Sequence, residues 1–109
     1  MKKVMLITGG SRGIGAATVI LAARRGYAVC INYRSDRQSA EALLEDIRSG
    51  GGEAIAIAAD VSREDDIKRL FTVMDEQLGS ITALVNNAGI LERQMFVEQM
   101  TAEHTRKAR

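Results

Sequence analysis

The chain reads Thr8-Gly9-Gly10-Ser11-Arg12-Gly13-Ile14-Gly15 directly after a short apolar run at residues 4–7. Three of its glycines have the spacing G-x-x-x-G-x-G. In such a loop one glycine permits a tight turn, one lets the backbone approach a pyrophosphate, and one lets the following helix pack closely on the strand. Because a helix N-terminus attracts phosphates, the loop predicts a phosphate-bearing cofactor. A P-loop is excluded, since no Gly-Lys-Ser/Thr follows.

Three more short apolar runs follow along the chain, at residues 28–31, 54–59 and 83–85. Runs of this length without polar alternation are typical of strands buried on both faces, as in a parallel sheet covered by helices. We therefore predict four strands, with the second ending near Asn32 or Tyr33.

Helical patterns lie between these runs. Apolar or small residues recur at i, i+3, i+4 and i+7, which is typical of the inward stripe of a helix. The three stripes consist of Ile14, Ala17, Thr18 and Leu21; Ala40, Leu43, Leu44 and Ile47; and Ile67, Leu70, Phe71, Met74 and Leu78. Glycines follow each pattern where a helix C-terminus is expected.

Polar residues precede two of the helices and predict their N-caps. Asp36, together with Ser35, is expected to cap the second helix. Ser62 is expected to cap the third, with acidic residues at positions 64–66 offsetting the helix dipole.

The order of elements is βαβαβαβ, which favours a Rossmann-type, doubly wound parallel α/β sheet. Right-handed crossovers would give the strand order 3-2-1-4, one mononucleotide-binding half of such a fold. The 109 residues fit one domain, a nucleotide-binding domain over residues 1–109.

Composition excludes several classes of protein. Fifteen Lys and Arg residues against fourteen Asp and Glu residues give no support for a nucleic-acid or membrane-surface partner. The apolar runs are too short for a bilayer span or a signal peptide. One cysteine, Cys30, and one histidine, His104, exclude an internal disulfide and argue against a metal site. A cytoplasmic protein without a metal is therefore expected.

Two further motifs complete a pattern that a known family shares. Asp60-Val61 follows the third predicted strand and Asn86-Asn87-Ala88-Gly89 follows the fourth. With the glycine loop, in this order, they resemble the short-chain dehydrogenase/reductase family of the classical type. Segments 32–35 and 51–56 are similar to 3-oxoacyl-carrier-protein reductases and to bacterial glucose dehydrogenases, and do not separate them. The resemblance implies hydride transfer between a nicotinamide and a carbonyl or alcohol carbon of a small substrate.

The resemblance also implies roles for individual residues. The glycine loop would line the dinucleotide, Asp60 would accept a hydrogen bond from the adenine amino group, and the fourth strand's end would lie against the cofactor. The first and fourth strands should be neighbours, so the loop and residues 86–89 are expected to converge. The complete predicted cofactor site is Gly9, Ser11, Arg12, Gly13, Ile14, Gly15, Tyr33, Arg34, Asp60, Val61, Asn86, Ala88 and Gly89.

The end of the second strand sets the choice of cofactor. An acid there bonds the ribose 2′-hydroxyl, whereas an arginine accommodates a 2′-phosphate. Arg34 is placed to reach the phosphate and Arg12 to hold it from the other side, and NADP-preferring members of the family carry basic residues at both places. Asp36, 21 residues after Gly15, has nearly the spacing of a ribose-binding acid. The sequence favours NADP(H) and leaves NAD(H) open.

The family's catalytic residues are not identified in this chain. Its chemistry needs a tyrosine with a lysine four residues later, a serine and an asparagine. Ile31 stands four residues after Tyr27, and Arg37 four residues after Tyr33. All four catalytic positions would fall beyond Arg109, so we predict a truncated, inactive cofactor-binding portion. The last six residues lack large apolar side chains, which leaves an early stop, a frame change, a proteolytic fragment and a deliberately shortened chain as alternatives.

Two other functions are compatible with the sequence. A non-catalytic module that senses NADP(H) would need only the cofactor site. A methyltransferase with a glycine-rich adenosyl site is weaker, because it would want an acid at the end of strand two and gives no reason for residues 86–89. The fourth strand would lie at an open apolar edge, which favours a homo-oligomer.

Overall fold

The computed structural model describes residues 2–87. Within them four strands form one parallel sheet with the order β3-β2-β1-β4, which confirms the predicted topology. In chain order the elements are β1 (Val4–Thr8), α1 (Gly13–Arg24), β2 (Ala28–Tyr33), α2 (Arg37–Ser49), β3 (Ala54–Ala58), α3 (Glu64–Gln77) and β4 (Ala83–Asn86).

Helices cover both faces of this sheet, as parallel strands require. On one face α1 and α2 pack against β1 and β2 around side chains such as Val19, Leu43 and Ile31. On the other face α3 packs through Ile67, Leu70 and its neighbours. All six residues of β2 are buried, so the centre of the sheet lies in the core and its strand ends can position a site.

The buried face of α1 differs from the predicted one. Ile14 is 79% exposed and Leu21 49% exposed, whereas Gly15, Val19 and Ala22 are buried. The true stripe lies one residue further along the chain, a rotation of about 100°. The cause is the approach of Gly15 to the glycine loop, described below, which turns the helix so that its small residues face the sheet.

The helix ends match the sequence-based predictions except at the N-cap of α3. Gly26, Gly51 and Gly79 follow α1, α2 and α3 with φ of 88°, 87° and 109°, a conformation that side chains with a Cβ rarely adopt. Asp36 caps α2, as predicted. The prediction for Ser62 is wrong: Arg63 stands at the N-cap of α3.

Burial decides the character of Cys30, which lies in the middle of β2 with no exposed surface. Removal from water disfavours the thiolate and raises the pKa of the Cys30 thiol to about 12. The side chain is therefore a small core residue and carries no chemistry at neutral pH.

Several predicted features lie outside the described residues. They include Ala88, Gly89, His104 and the C-terminal residues after Glu103. Within residues 2–87, no helix combines the length and apolar character that a membrane crossing requires.

Candidate functional site

The site is built where the four parallel strands end. Gly9 follows β1, Arg34 follows β2, Asp60 comes two residues after β3, and Asn86 is the last residue of β4. Ends of this kind lie along one edge of the sheet, and ligands of open α/β sheets bind there, where the strand order reverses. In this chain the reversal falls between β1 and β4.

The glycine loop takes a shape that needs its glycines. Gly9 has φ of 61° and Gly13 has φ of 59°, both in the left-handed region. Gly15 is needed for another reason: a Cβ there would overlap the carbonyl oxygen of Gly9 and lie 2.7 Å from Asn87 Nδ2. The loop and the first turn of α1 are therefore in direct backbone contact.

The N-terminus of α1 is suited to an anion. Its N-cap residue, Arg12, has extended backbone and makes no capping hydrogen bond with its side chain among the described residues. The first turn carries no acidic side chain. Backbone N–H groups and the positive end of the helix dipole thus face the loop without a competing carboxylate in that turn, which is the environment that phosphates prefer.

Hydrogen bonds hold Gly9 from two sides. Its N–H donates to Asn32 Oδ1 at 3.3 Å, and its carbonyl accepts from Asn87 Nδ2 at 3.0 Å. The next residue, Gly10, donates its N–H to the Asn32 carbonyl at 2.9 Å. The predicted convergence of the loop with the end of β4 is present in the structure.

Asn32 is a positioning residue that the sequence interpretation did not identify. Its side chain is 2% exposed, and its Nδ2 donates to the carbonyls of Ala59 at 3.1 Å and Ile57 at 3.4 Å. It therefore ties the glycine loop to the end of β3. The available signal was a polar residue at the end of an apolar strand, because a buried amide needs partners.

A cavity of about 270 Å³ opens beside the loop at the end of β2. Arg12 and Arg34 both line it, with 77% and 73% of their side chains exposed. The full lining is Gly9, Ser11, Arg12, Tyr33, Arg34, Ser35 and Asp36. Five of the predicted cofactor residues therefore share one cavity, in which two arginines and one aspartate leave a positive balance.

Each arginine is paired with a carboxylate. Arg12 Nε lies 3.6 Å from Asp36 Oδ2, and Arg34 Nη2 lies 3.5 Å from Asp60 Oδ2. Pairs this exposed contribute little to stability, since water and salt screen them. Hydrogen bonds from Ser39 first, and the charge of Arg12 second, hold the pKa of the Asp36 carboxyl below its usual value. Asp36 is therefore ionised at neutral pH.

Asp60 is held in place by local contacts. Its Oδ1 accepts from the N–H and the hydroxyl of Ser62, at 3.0 Å and 2.6 Å, which explains why Ser62 does not cap α3. Its own N–H donates to Asp66 Oδ2 at 2.8 Å. A second cavity, of about 400 Å³, lies here between Arg34 and α3. Val61, in contrast, is 5% exposed and belongs to the core.

The end of β4 is tied to the end of β1. Thr8 and Asn86 are register partners, and the Thr8 hydroxyl donates to Asn86 Oδ1 at 3.0 Å. Asn86 Nδ2 is buried and has no hydrogen-bond partner among residues 2–87. A buried amide donor left in this way at the strand-order reversal is suited to a ligand or to chain that follows β4.

The two tyrosines lie at opposite ends of β2. Tyr33 is 9% exposed at the end of β2. Tyr27 lies at the opposite edge of the sheet, where Lys3 Nζ is 4.8 Å from its ring centre, beside a cavity of about 480 Å³. Among residues 2–87, no group of three His, Cys, Asp or Glu side chains is arranged to hold a metal.

Comparison with known proteins identifies the class. A sequence model described as short chain dehydrogenase matches residues 3–108. The chain is 45% identical over 100 residues to an uncharacterized oxidoreductase of Escherichia coli, YgfF, covering 92% of this chain and 40% of that protein. It is 39% identical over 103 residues to the 3-oxoacyl-[acyl-carrier-protein] reductase FabG of Staphylococcus epidermidis, covering 94% and 42%. The chain belongs to the short chain dehydrogenase family, as predicted.

Solved structures agree with this assignment. A short-chain dehydrogenase/reductase from Serratia marcescens superposes with a TM-score of 0.86 at 29% identity, over 94% of this chain and 50% of that one. A blue fluorescent protein from a metagenomic library, solved in complex with NADPH, has a TM-score of 0.77 at 40% identity, over 81% and 36%. The chain spans about two fifths of the length of the curated relatives it matches.

Proposed function

We propose that residues 1–109 form the NADP(H)-binding domain of an oxidoreductase that transfers hydride between the nicotinamide and a carbonyl or alcohol substrate. The observation that carries this proposal is the placement of Arg12 and Arg34 on one cavity beside the glycine loop. Two guanidinium groups match the charge of a phosphate dianion, whereas a 2′-hydroxyl is uncharged and gains little from them. The NADPH complex of a 40% identical structure supports the same class of cofactor.

The residues present fit the dinucleotide. The glycine loop, where a Cβ at Gly15 would clash, and the uncapped N-terminus of α1 would take the pyrophosphate. Asp60 would bind the adenine amino group, with Val61 beside it contributing backbone. Asn86, followed by Ala88 and Gly89, would border the nicotinamide half. The bound cofactor would supply or accept the hydride, and these residues would hold and orient it.

The choice of cofactor is tested by charge reversal at Arg34. We expect Arg34→Asp to weaken NADPH binding by about tenfold to a hundredfold, because one charge-assisted contact is lost and a repulsive one is created. NADH has no 2′-phosphate, so its affinity should change by less than about threefold. Titration of the purified chain, followed by the fluorescence of each reduced cofactor, measures both constants.

Arg24→Asp is the matched control, because it makes the same change of charge at the far end of α1. It should leave the ratio of the two constants unchanged. Equal losses for NADPH and NADH in Arg34→Asp would contradict the NADP(H) assignment.

We further propose that this chain alone does not catalyse hydride transfer. Ile31 and Arg37 stand four residues after Tyr27 and Tyr33, where the family's chemistry needs a lysine, and Tyr33 is nearly buried. A solution of the chain saturated with NADPH should therefore show no carbonyl-dependent loss of absorbance at the nicotinamide band. Turnover with any ketone or aldehyde would contradict this.

The missing lysine four residues after either tyrosine also favours a second candidate function, a non-catalytic NADP(H)-binding sensor. It predicts saturable NADPH binding together with absence of turnover in the cell.

A homo-oligomer is a further proposal, since β4 lies at the edge of the described sheet with all four residues only half-buried. The cytoplasmic location expected from the sequence stays a prediction.

A further inference from the structure

Two helix starts set the geometry of the Arg12–Asp36 pair. Arg12 is the N-cap of α1 and accepts the Ala16 N–H through its carbonyl at 3.2 Å. Asp36 is the N-cap of α2, and its Oδ1 accepts the Ser39 N–H at 3.1 Å. The second oxygen, Oδ2, lies 3.6 Å from Arg12 Nε. The carboxylate is thus fixed by one oxygen and neutralises Arg12 with the other.

This carboxylate stands on the wall of the cavity that a 2′-phosphate would enter. Asp36 and Arg12 both line that cavity, with Arg34 and Tyr33 on the same lining. A phosphate bound there by Arg12 competes with Asp36 for the charge of the same guanidinium group and lies close to a second anion. A 2′-hydroxyl carries no charge and meets neither cost.

We propose that Asp36 is a specificity-determining residue: it is the resting counter-ion of Arg12 and competes with a 2′-phosphate for that guanidinium group. Asp36 thereby lowers the affinity for 2′-phosphorylated nucleotides and leaves the affinity for those with a free 2′-hydroxyl unchanged. The inference rests on the proposed function and deepens it. It assigns to Asp36 the opposite effect to that of the two arginines.

The test uses the full 109-residue chain and the variant Asp36→Asn. Asparagine is as good an N-cap as aspartate, so α2 keeps its start while the charge is removed. By calorimetry we expect adenosine 2′,5′-bisphosphate to bind about threefold to tenfold more tightly, a range set by screening at an exposed pair. Adenosine 5′-monophosphate should bind with the wild-type affinity. These probes need only the adenosine half of the site.

Asp46→Asn is the matched control, because it removes the same charge from an exposed position further along α2. It should change neither affinity. A second arm places Asp36→Asn in an Arg12→Gln background, where the gain should be clearly smaller, because only the direct repulsion between Asp36 and the phosphate is then removed. Should Asp36→Asn fold poorly by circular dichroism, Asp36→Ser provides another neutral N-cap.

The outcomes separate the two proposals. An unchanged bisphosphate affinity in Asp36→Asn, or a gain of the same size without Arg12, would overturn the counter-ion role while leaving NADP(H) binding intact. A weaker affinity for the monophosphate would show Asp36 to be a ribose ligand and would also overturn it. A wild-type chain that binds neither nucleotide would overturn the proposed function, and the inference with it.

Discussion

Replacing Asn32 by leucine is expected to lower the free energy of unfolding by about 3 kcal/mol and to abolish NADPH binding. Leucine has nearly the shape of asparagine but leaves the Gly9 N–H and the Ala59 carbonyl without their partner. Each buried polar group that loses its hydrogen bond costs about 1–3 kcal/mol. The glycine loop also loses its tie to the end of β3. Urea denaturation and cofactor titration measure the two effects.

Gln38→Leu is the control, since it exchanges an exposed amide for the same side chain on α2. We expect it to change stability by less than about 0.5 kcal/mol. If Asn32→Leu were as stable as the wild type, or bound NADPH equally well, Asn32 would be an ordinary strand residue.

Gly15→Ala should weaken NADPH binding by more than about tenfold and destabilise the chain by about 1–3 kcal/mol, the usual cost of overpacking. The added Cβ meets the backbone oxygen of Gly9, which no rotation of a side chain relieves, and lies 2.7 Å from Asn87 Nδ2. Helix propensity alone predicts the opposite sign, because alanine is favoured over glycine by about 1 kcal/mol within a helix. The direction in which Gly15→Ala shifts the midpoint of thermal unfolding therefore shows whether the clash with Gly9 or the helix propensity of alanine has the larger effect.

Gly50→Ala serves as the reference for this substitution. The nearest atom to a Cβ at Gly50 lies 3.6 Å away and its φ is negative, so stability should stay level or rise slightly. A Gly15→Ala chain that is more stable than the wild type and still binds NADPH would show that the loop and α1 can separate without cost.

The order of strands and helices could be predicted because each signal is local. Short apolar runs, stripes at helical spacing and a glycine after each helix are all read within one element. Where the prediction failed, a contact between the helix start and the loop before it had intervened. The stripe of α1 is turned by the approach of Gly15 to Gly9, and Ser62 is drawn away from α3 by the Asp60 carboxylate.

In the candidate site too, the signals within one element were predictable and the contacts between elements were not. Motif spacing was enough to predict that the glycine loop, Arg34, Asp60 and Asn86 lie at the carboxyl ends of the strands, and the structure has them there. It was not enough to find the partners of these residues. The pairing of Arg12 with Asp36 depends on how two helix starts lie relative to each other, and no spacing rule states that distance.

By itself, the sequence determined the parallel α/β fold, the strand order and the family of this protein, because periodicity and loop chemistry act over a few residues. Only the tertiary structure decided which face of α1 is buried, that Asn32 holds the loop, and that carboxylates hold both arginines at rest. The hydrogen bonds that hold the glycine loop join residues 23 to 78 positions apart, as from Asn32 and Asn87 to Gly9. They form only when separate strands end at one edge of the sheet.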